Sequence, residues 1–452
     1  MKKALFTITV FSLFLSAVSA QARMGEPKKL TLAQAIEVAL AQNLNIRQAD
    51  NNVDAAQSAV LASYGGYMPT VFVSGGWTRQ QTDRTATTQI IQGNPIPLPA
   101  TFAVTNSFST RLSINYTIFD GFSREAQWSR ASSNKSAAEY NATRTRQAIT
   151  FQVESAYLNV LRTEQLVRVS EENLKRGRRQ LERIIESNRL GALSLADVYR
   201  QQTVTASDEL ALINAQNNYN KAKVDLVALI GLDPIDEYQF VDPTLSGDID
   251  QAELEASMEK YKSYDELRKR ALAARPDYHS SRESYYAAGS SVVQARRGYI
   301  PSVTAFGGYN LSNTSLSTLK DNKGISWGLN LNWTLFDGFQ TNQAIQSAST
   351  QERNAELAIA QAERNISVEV KKALLDLEAS RKQYEVTQKG LVSATQDRRT
   401  AEERYNVGAG TLLDLLTANA GFVNAEANKV NAVYNYIISK RNVEYALGER
   451  SY

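Results

Sequence analysis

Cysteine is absent from this 452-residue chain, histidine occurs once (His279), and there are only nine prolines and four methionines. Without cysteine there is no disulfide scaffold, no thiol nucleophile and no N-terminal lipid attachment; with a single histidine, zinc sites are excluded as well. A thick apolar core is not expected, because mean hydropathy is −0.36 and the chain is rich in Ala, Asn, Gln, Ser and Thr. Charge of one sign is also lacking. Lys and Arg number 50 against 47 acids, and two of the bases, Lys2 and Lys3, belong to the N-terminal segment. That is too little for a nucleic-acid footprint.

The segment 1–20 reads as a secretory signal peptide: a short basic start, the apolar stretch from Ala4, then Val18-Ser19-Ala20 before a mature start at Gln21. An uncleaved anchor is the alternative, but the apolar part falls short of the ~20 residues a spanning helix needs. Past it no apolar run reaches spanning length. Entry into a membrane would have to be made by strands.

What the sequence does contain is a duplication. At an offset of 232, Ala39-Leu40-Ala41 matches Ala271-Leu272-Ala273, Tyr67 and Pro69 match Tyr299 and Pro301, and Gly75-Gly76 matches Gly307-Gly308. Further on the offset becomes 217, aligning Phe119-Asp120-Gly121-Phe122 with Phe336-Asp337-Gly338-Phe339, Gly191-Ala192 with Gly408-Ala409, Asp197 with Asp414 and Gly231 with Gly448. The difference of 15 residues sits in one loop. A solenoid wants at least three short repeats, so two long copies point to a pseudo-twofold protomer, with repeats over 21–231 and 263–452 and a linker over 232–262.

Each copy reads helix, strand, strand, long helix, helix: mainly α with a small β part. Residues 31–67 are expected to be helical up to Pro69. From Ser107 to Phe119 apolar and polar residues alternate strictly, and Ser326 to Phe336 repeats the pattern; Thr70 to Thr78 and Ser302 to Leu311 are their expected partners. Asp120 and Asp337 are expected as N-caps of the next helices, which run nearly free of Gly and Pro to about Asn188 and Asn406. Some 67 residues at 1.5 Å each make roughly 100 Å. A heptad seam is expected at Leu413, Leu416, Ala420, Val423, Ala427, Val430, Tyr434 and Ile437, making the helix pairs antiparallel coiled coils that turn at Leu190-Gly191-Ala192-Leu193-Ser194 and Val407-Gly408-Ala409-Gly410-Thr411.

Strands with one apolar, aromatic-bearing face suit a transmembrane barrel, in which no backbone edge is left unpaired. Four strands cannot close one, whereas three chains supply twelve, so a homotrimer is inferred. Trp77, Tyr116, Tyr309, Trp327 and Trp333 are candidates for an interfacial girdle against outer-membrane lipid. An ordinary half-buried sheet would show the same local pattern; the signal peptide and the duplication favour the barrel. Long, weakly apolar helices fit a hollow tube better than a solid stalk, which would leave the strands unexplained.

These residues resemble the TolC-type outer-membrane efflux proteins of Gram-negative envelopes, over essentially all of Leu30 to Gly448. The resemblance is carried by Tyr67-Met68-Pro69 and Tyr299-Ile300-Pro301, the two Phe-Asp-Gly-Phe turns, the run from Tyr405 to Leu415 and Tyr445-Ala446-Leu447-Gly448. It implies a trimeric twelve-stranded outer-membrane β-barrel continuous with a long periplasmic α-helical barrel. The implied function is a passive exit duct for efflux or type I secretion, served by a periplasmic adaptor and an inner-membrane pump, with no enzymatic activity, cofactor or metal. The adaptor would meet the tips Leu190 to Ser194 and Val407 to Thr411. Asp197 and Asp414 are implied as a constriction ring, and Tyr405 as part of a closed-state latch to Asp197. The family's latching arginine and second acid fall at Gly410 and Thr417, and this chain carries neither. A helix-capping or solvated carboxylate is the other reading of each aspartate.

The excess residues fall in a Pro-rich loop over 81–106, read as an ordered surface loop or a lid; its counterpart over 314–323 is short. The linker carries Pro234, Pro243 and many acids, with one short helix. Arg176, Arg178, Arg179 and Arg183 read as a solvated helix face, and His279 as structural. Two other function classes compete: a non-conducting coiled-coil stalk or adhesin, and, more weakly, a periplasmic hydrolase using Asp/Glu pairs.

Overall fold

The computed structural model describes residues 28–235, 237–241 and 249–449; the expected signal peptide and linker residues Asp236, Asp242, Pro243 and Asp248 lie outside them. The chain begins with β1 (Lys28–Leu30), α1 (Leu32–Gln42) and α2 (Leu44–Gly65). The expected single helix over 31–67 is therefore broken. Thr31 opens α1 with a capping box to Gln34. Asn43 then leaves the helical region at ψ 129°, ending α1, and accepts the Asn45 N–H to start α2. An Asn side chain competes with the helix for backbone partners, and here it wins.

Four strands follow, β2 (Thr70–Arg84), β3 (Thr87–Ile91), β4 (Asn94–Leu98) and β5 (Thr101–Phe119). The region expected as a loop is thus a long hairpin. β2 pairs with β5 from Thr70↔Asn115 to Arg84↔Thr101, and β3 pairs with β4 around the two-residue turn Gln92-Gly93, both at positive φ. That is the turn geometry that matches strand twist. Pro95 and Pro97 are accommodated because β3 and β4 pair only with each other, so each proline lacks a partner on its far side.

From β5 the chain enters α3 (Ser123–Arg189) and α4 (Leu195–Ile230), crosses β6 (Tyr238–Phe240) and α5 (Gln251–Lys260), and repeats. The second copy is α6 (Tyr264–Ala274), α7 (Pro276–Arg296), β7 (Ser302–Asn313), β8 (Lys323–Asn332), α8 (Gln340–Asn406) and α9 (Leu412–Leu447). Both long helices have 67 residues and both return helices 36. The strand-to-helix turns are the same twice over. Gly121 and Phe122 both adopt positive φ, as do Gly338 and Phe339, and Phe122 and Phe339 each meet the ring of the preceding Phe119 or Phe336 edge-on at 5.6 Å. The N-caps are Phe122 and Phe339, not the aspartates. Asp120 and Asp337 stand two residues earlier and accept the N–H of Ser123 and Thr341 from there.

The main sheet runs β2-β5-β7-β8, all antiparallel, with β2 and β8 as open edges. β8 ends at Asn332, so Trp333 lies beyond the strand and not on it; its indole N–H donates to the Tyr299 carbonyl. The ladder stops there because Asn332 is opposite Ser302, next to Pro301.

Two apolar clusters sit at mid-height. One joins Ala35, Tyr157, Leu226 and Phe240; the other joins Leu267, Val370, Tyr384 and Tyr436. The long helix α3 packs against α4, α7 and α2 and also meets α9, whereas α8 packs chiefly against α9 and α7. On α9 the buried face near the tip is Leu412, Leu415, Ala418 and Phe422, whereas Leu413, at 60 % exposed, and Ala420 face outward. The expected seam is therefore displaced by one residue at that end, where Leu412 packs against Ile184 of α3 and Val198 of α4. Among the described residues no helix is long and apolar enough to cross a membrane.

Candidate functional site

The candidate functional residues collect at the two ends of the molecule. At the helical end, α3 closes at Leu190 and Gly191 turns the chain at φ 80°, while Gly408 does the same after α8 at φ 73°. The Ala192 N–H donates to the Ser187 carbonyl and the Ala409 N–H to the Arg404 carbonyl, closing both helices in the same way. Ser194 and Thr411 then cap α4 and α9 by accepting the N–H of Asp197 and Asp414.

The two aspartates are held by their own turns. Ser194 Oγ donates to Asp197 Oδ2 at 2.7 Å, and Thr411 donates to Asp414 Oδ2 from both Oγ1 (2.8 Å) and N (3.1 Å), completing a capping box. The Thr411 hydroxyl, its backbone N–H and nearby Arg404 hold the Asp414 carboxyl below the usual carboxylate range. Asp197 has Arg200 at 3.2 Å. The chemistry is thus unequal: both carboxylates accept from their caps, but Asp197 is in direct ion-pair contact with Arg200, whereas Arg404 acts on Asp414 only from beyond ion-pair distance.

Between the tips lies a small apolar knot of Ile184, Val198 and Leu412, with Leu193, Tyr405 and Leu416 against it. Burial pushes the Tyr405 hydroxyl up, and the charge of Asp197 adds to the shift. Beside the knot a cavity of about 470 Å³ is lined by Arg183, Leu193, Tyr405, Gly408 and Gly410 among others, so both tips contribute to one surface. A Cβ at Gly410 would stand 3.2 Å from the Arg404 Cβ, which fits the small residue found there. Thr417 is exposed and its hydroxyl bonds back to the Leu413 carbonyl.

At the strand end, register places Trp77, Tyr116, Tyr309 and Trp327 on one face of the sheet, with Val71, Val73, Phe108, Leu112, Ile114, Ile118, Ile325, Leu329 and Leu331. Trp77 is 61 % and Trp327 83 % exposed; Trp77 stacks on Phe108 at 6.4 Å. Along β5 the rings of Phe108 and Tyr116 stand at either end of the aromatic-bounded stretch, with Ile118 one step beyond. Eight residues at about 3.4 Å make roughly 27 Å along the strand, and an inclination of about 40° reduces that to roughly 20 Å of height, near the ~25 Å band of an outer-membrane barrel. The opposite face carries Ser74, Ser109, Arg111, Ser113, Asn115, Asn310, Ser326 and Asn330, with Phe72 and Phe306 among them.

The sequence reading missed a clamp higher up the tip-side half. The guanidinium groups of Arg176 on α3 and Arg398 on α8 both lie over the ring of Phe422 on α9, at 5.4 and 4.2 Å, and Arg176 reaches Glu426 at 3.7 Å. Arg176 is therefore turned inward, whereas Arg178 stays on the surface with Glu209. Nothing in local periodicity marks such a three-helix contact. His279 stacks on Tyr140 at 5.3 Å and bonds to the Ala273 carbonyl.

Comparison with known proteins gives one answer. A family profile described as "Outer membrane efflux protein" matches residues 35–232 and 267–449. The chain is 25 % identical to protein CyaE of Bordetella pertussis over 406 residues, covering 89 % of this chain and 80 % of that one. It is 24 % identical to outer membrane protein TolC of Vibrio cholerae, covering 88 % and 86 %. Among solved structures, the outer membrane protein VceC of Vibrio cholerae shares its fold with a TM-score of 0.77 at 20 % identity, covering 92 % and 96 %. The CmeC outer membrane channel of Campylobacter jejuni gives 0.76 at 20 %, covering 92 % and 85 %.

Proposed function

Because this chain belongs to the outer membrane efflux protein family, we propose that three copies of it close a twelve-stranded barrel whose helices continue as a hollow periplasmic tube. The protein resides in the Gram-negative outer membrane and serves efflux. One observation carries the reading of how it does so: a four-stranded sheet, apolar on one face, polar on the other and open at both edges, mounted on helices of 67 residues. Lipid tolerates neither edge unpaired. Twelve antiparallel strands satisfy every edge and leave the Ser- and Asn-lined face around a water-filled lumen.

In this assembly Trp77, Tyr116, Tyr309 and Trp327 anchor the barrel at the lipid interfaces, with Trp333 just below the strand end. The tips Leu190 to Ser194 and Val407 to Thr411 form the periplasmic entrance and the contact for an adaptor, which with an inner-membrane pump supplies the energy the duct itself lacks. Three pairs of Asp197 and Asp414 surround the narrowed entrance and favour cations. Asp414 contributes more to that field, since Arg200 offsets Asp197. Tyr405, wedged in the apolar knot beside Asp197, steadies the closed arrangement.

Purified protein in detergent should give a trimer by native mass spectrometry and ion-conducting pores in a planar bilayer. A stable single chain would end this reading; a trimer without conductance would favour the stalk.

A further inference from the structure

The two edges of the sheet are related by the duplication itself, and that relation fixes how one copy meets the next. The hairpin registers are equivalent: Thr70↔Asn115 in β2 and β5 becomes Ser302↔Asn332 in β7 and β8 when the repeat offsets of 232 and 217 are applied. The step that joins the hairpins, β5 to β7, is also explicit, with Leu112 opposite Tyr309 and Thr110 opposite Leu311. Applying the same offsets to that step carries it from β5 to β8, and from β7 to the β2 of another copy.

We propose that β8 pairs with β2 of the partner subunit in the register that sets Trp327 opposite Arg79 and Lys323 opposite Asp83. This deepens the trimeric reading above and rests on it.

Charge supplies an independent argument. On the apolar face, the charged residues of the four strands are Arg79, Asp83 and Lys323, and all three lie on the two open-edge strands. Among the described residues none of the three has an ion-pair partner. The register derived from the repeat joins them without having been chosen for that purpose. Lys323 meets the carboxylate of Asp83, and the Arg79 guanidinium meets the face of the exposed Trp327 indole. A slip of two residues in one direction would face Lys323 with Gln81 and Trp327 with Trp77, and would leave both Arg79 and Asp83 without these partners. The pairing also explains why β8 and β2 carry charge on a face turned to lipid: the charges lie at the far end from the helices, where the apolar band gives way to water.

The natural absence of cysteine gives the test a clean background. Directly opposed strand residues stand about 4.5–5.5 Å apart, within disulfide reach, whereas positions displaced by two stand about 7–8 Å apart. Full-length Lys323→Cys/Asp83→Cys, oxidised in detergent, should run as a covalent trimer under denaturing electrophoresis. Lys323→Cys/Gln81→Cys should remain largely monomeric. A second pair, Leu331→Cys/Gly75→Cys, reads the same register deeper in the barrel and should also link. Preferential linking of the displaced pair, or failure of both predicted pairs to link in protein that is trimeric by native mass spectrometry, overturns the register while leaving the trimer. A single-chain mass for the cysteine-free parent overturns the trimer and this pairing with it.

Discussion

Asn43 and Arg275 make the same contact in the two repeats, although they share no chemistry. Asn43 Nδ2 donates to the Leu229 carbonyl at 3.0 Å, and Arg275 Nη1 donates to the Ala446 carbonyl at 3.1 Å. Each stands where two short helices meet, and each satisfies a last-turn carbonyl of the return helix. Gly231 and Gly448 follow those carbonyls at positive φ, and a Cβ on either would press on Gln42 or Arg275. Arg275 does more, since it also pairs with Asp277 and Glu369 at 2.6 Å while its own side chain is 4 % exposed.

Arg275→Ala is expected to lower stability by about 2–3 kcal/mol, reduced from the figure for a fully buried pair because both carboxylates keep partial solvent. Asn43→Ala should cost about 1–2 kcal/mol through its cap and its long-range bond. Denaturant unfolding of the solubilised protein checks the order; equal effects would show that the two breaks are not matched by strength of bonding.

Acid should expose the same joint. Burial raises the Asp277 carboxyl, but the bond and charge of Arg275 outweigh it and leave the group below the usual carboxylate range. A folded value below the unfolded one means the group stabilises the fold above its unfolded pKa and loses that contribution as pH falls through the folded one. Asp277→Asn should therefore flatten the acid limb of a plot of melting temperature against pH while lowering its neutral plateau.

The tip turns predict opposite signs for three glycines. Gly191→Ala and Gly408→Ala force a side chain into the left-handed region and should each destabilise by about 1 kcal/mol. Gly390→Ala, inside α8 with nothing within 4 Å of the added Cβ, should stabilise by about 0.5–1 kcal/mol. Hydrogen exchange at the tips and thermal melts distinguish the two classes.

Ion selectivity separates the aspartates. Asp414→Asn should move the reversal potential in a salt gradient further toward zero than Asp197→Asn, because Arg200 already offsets the latter. Thr411→Ala, which removes the Asp414 hydroxyl partner and keeps the charge, should loosen the turn by about 1 kcal/mol without the same selectivity change. If Asp414→Asn leaves selectivity untouched, the carboxylate acts as a cap alone.

Deleting Thr87 to Leu98 removes a strand pair bonded only to itself. The trimeric state, melting temperature and conductance should stay those of the parent; a raised conductance would instead make the hairpin a cover over the pore.

The repeat, the two 67-residue helices, the glycine turns and the alternating strands were legible in the sequence because each rests on local periodicity or on a residue with a fixed backbone role. The helix break at Asn43 was not, since a lone Asn in a helical pattern becomes decisive only through Leu229, 186 positions away. The extension of β2 and β5 was hidden by Pro95, Pro97 and Pro99, which read as loop until an unpaired edge is known. At the tips, Gly191 and Gly408 mark the turns after which Asp197 and Asp414 fall in the first turns of α4 and α9, but the different partners of the two carboxylates depend on Arg200 and Thr411. The Arg176–Phe422–Arg398 stack requires three helices to be laid side by side, and no one-dimensional pattern encodes that.

Each long helix has a divided companion: α4 ends at Ile230 where α2 begins at Leu44, and α9 ends at Leu447 where α7 begins at Pro276. Each such butt joint consists of Gly231 or Gly448 at positive φ and the polar side chain, Asn43 or Arg275, that bonds the return helix beside it. In the proposed trimer the return helices would swing like oars about that fulcrum while α2 and α7 hold the strand end of the molecule still, so that dilation of the inner mouth would leave the seal in the lipid undisturbed.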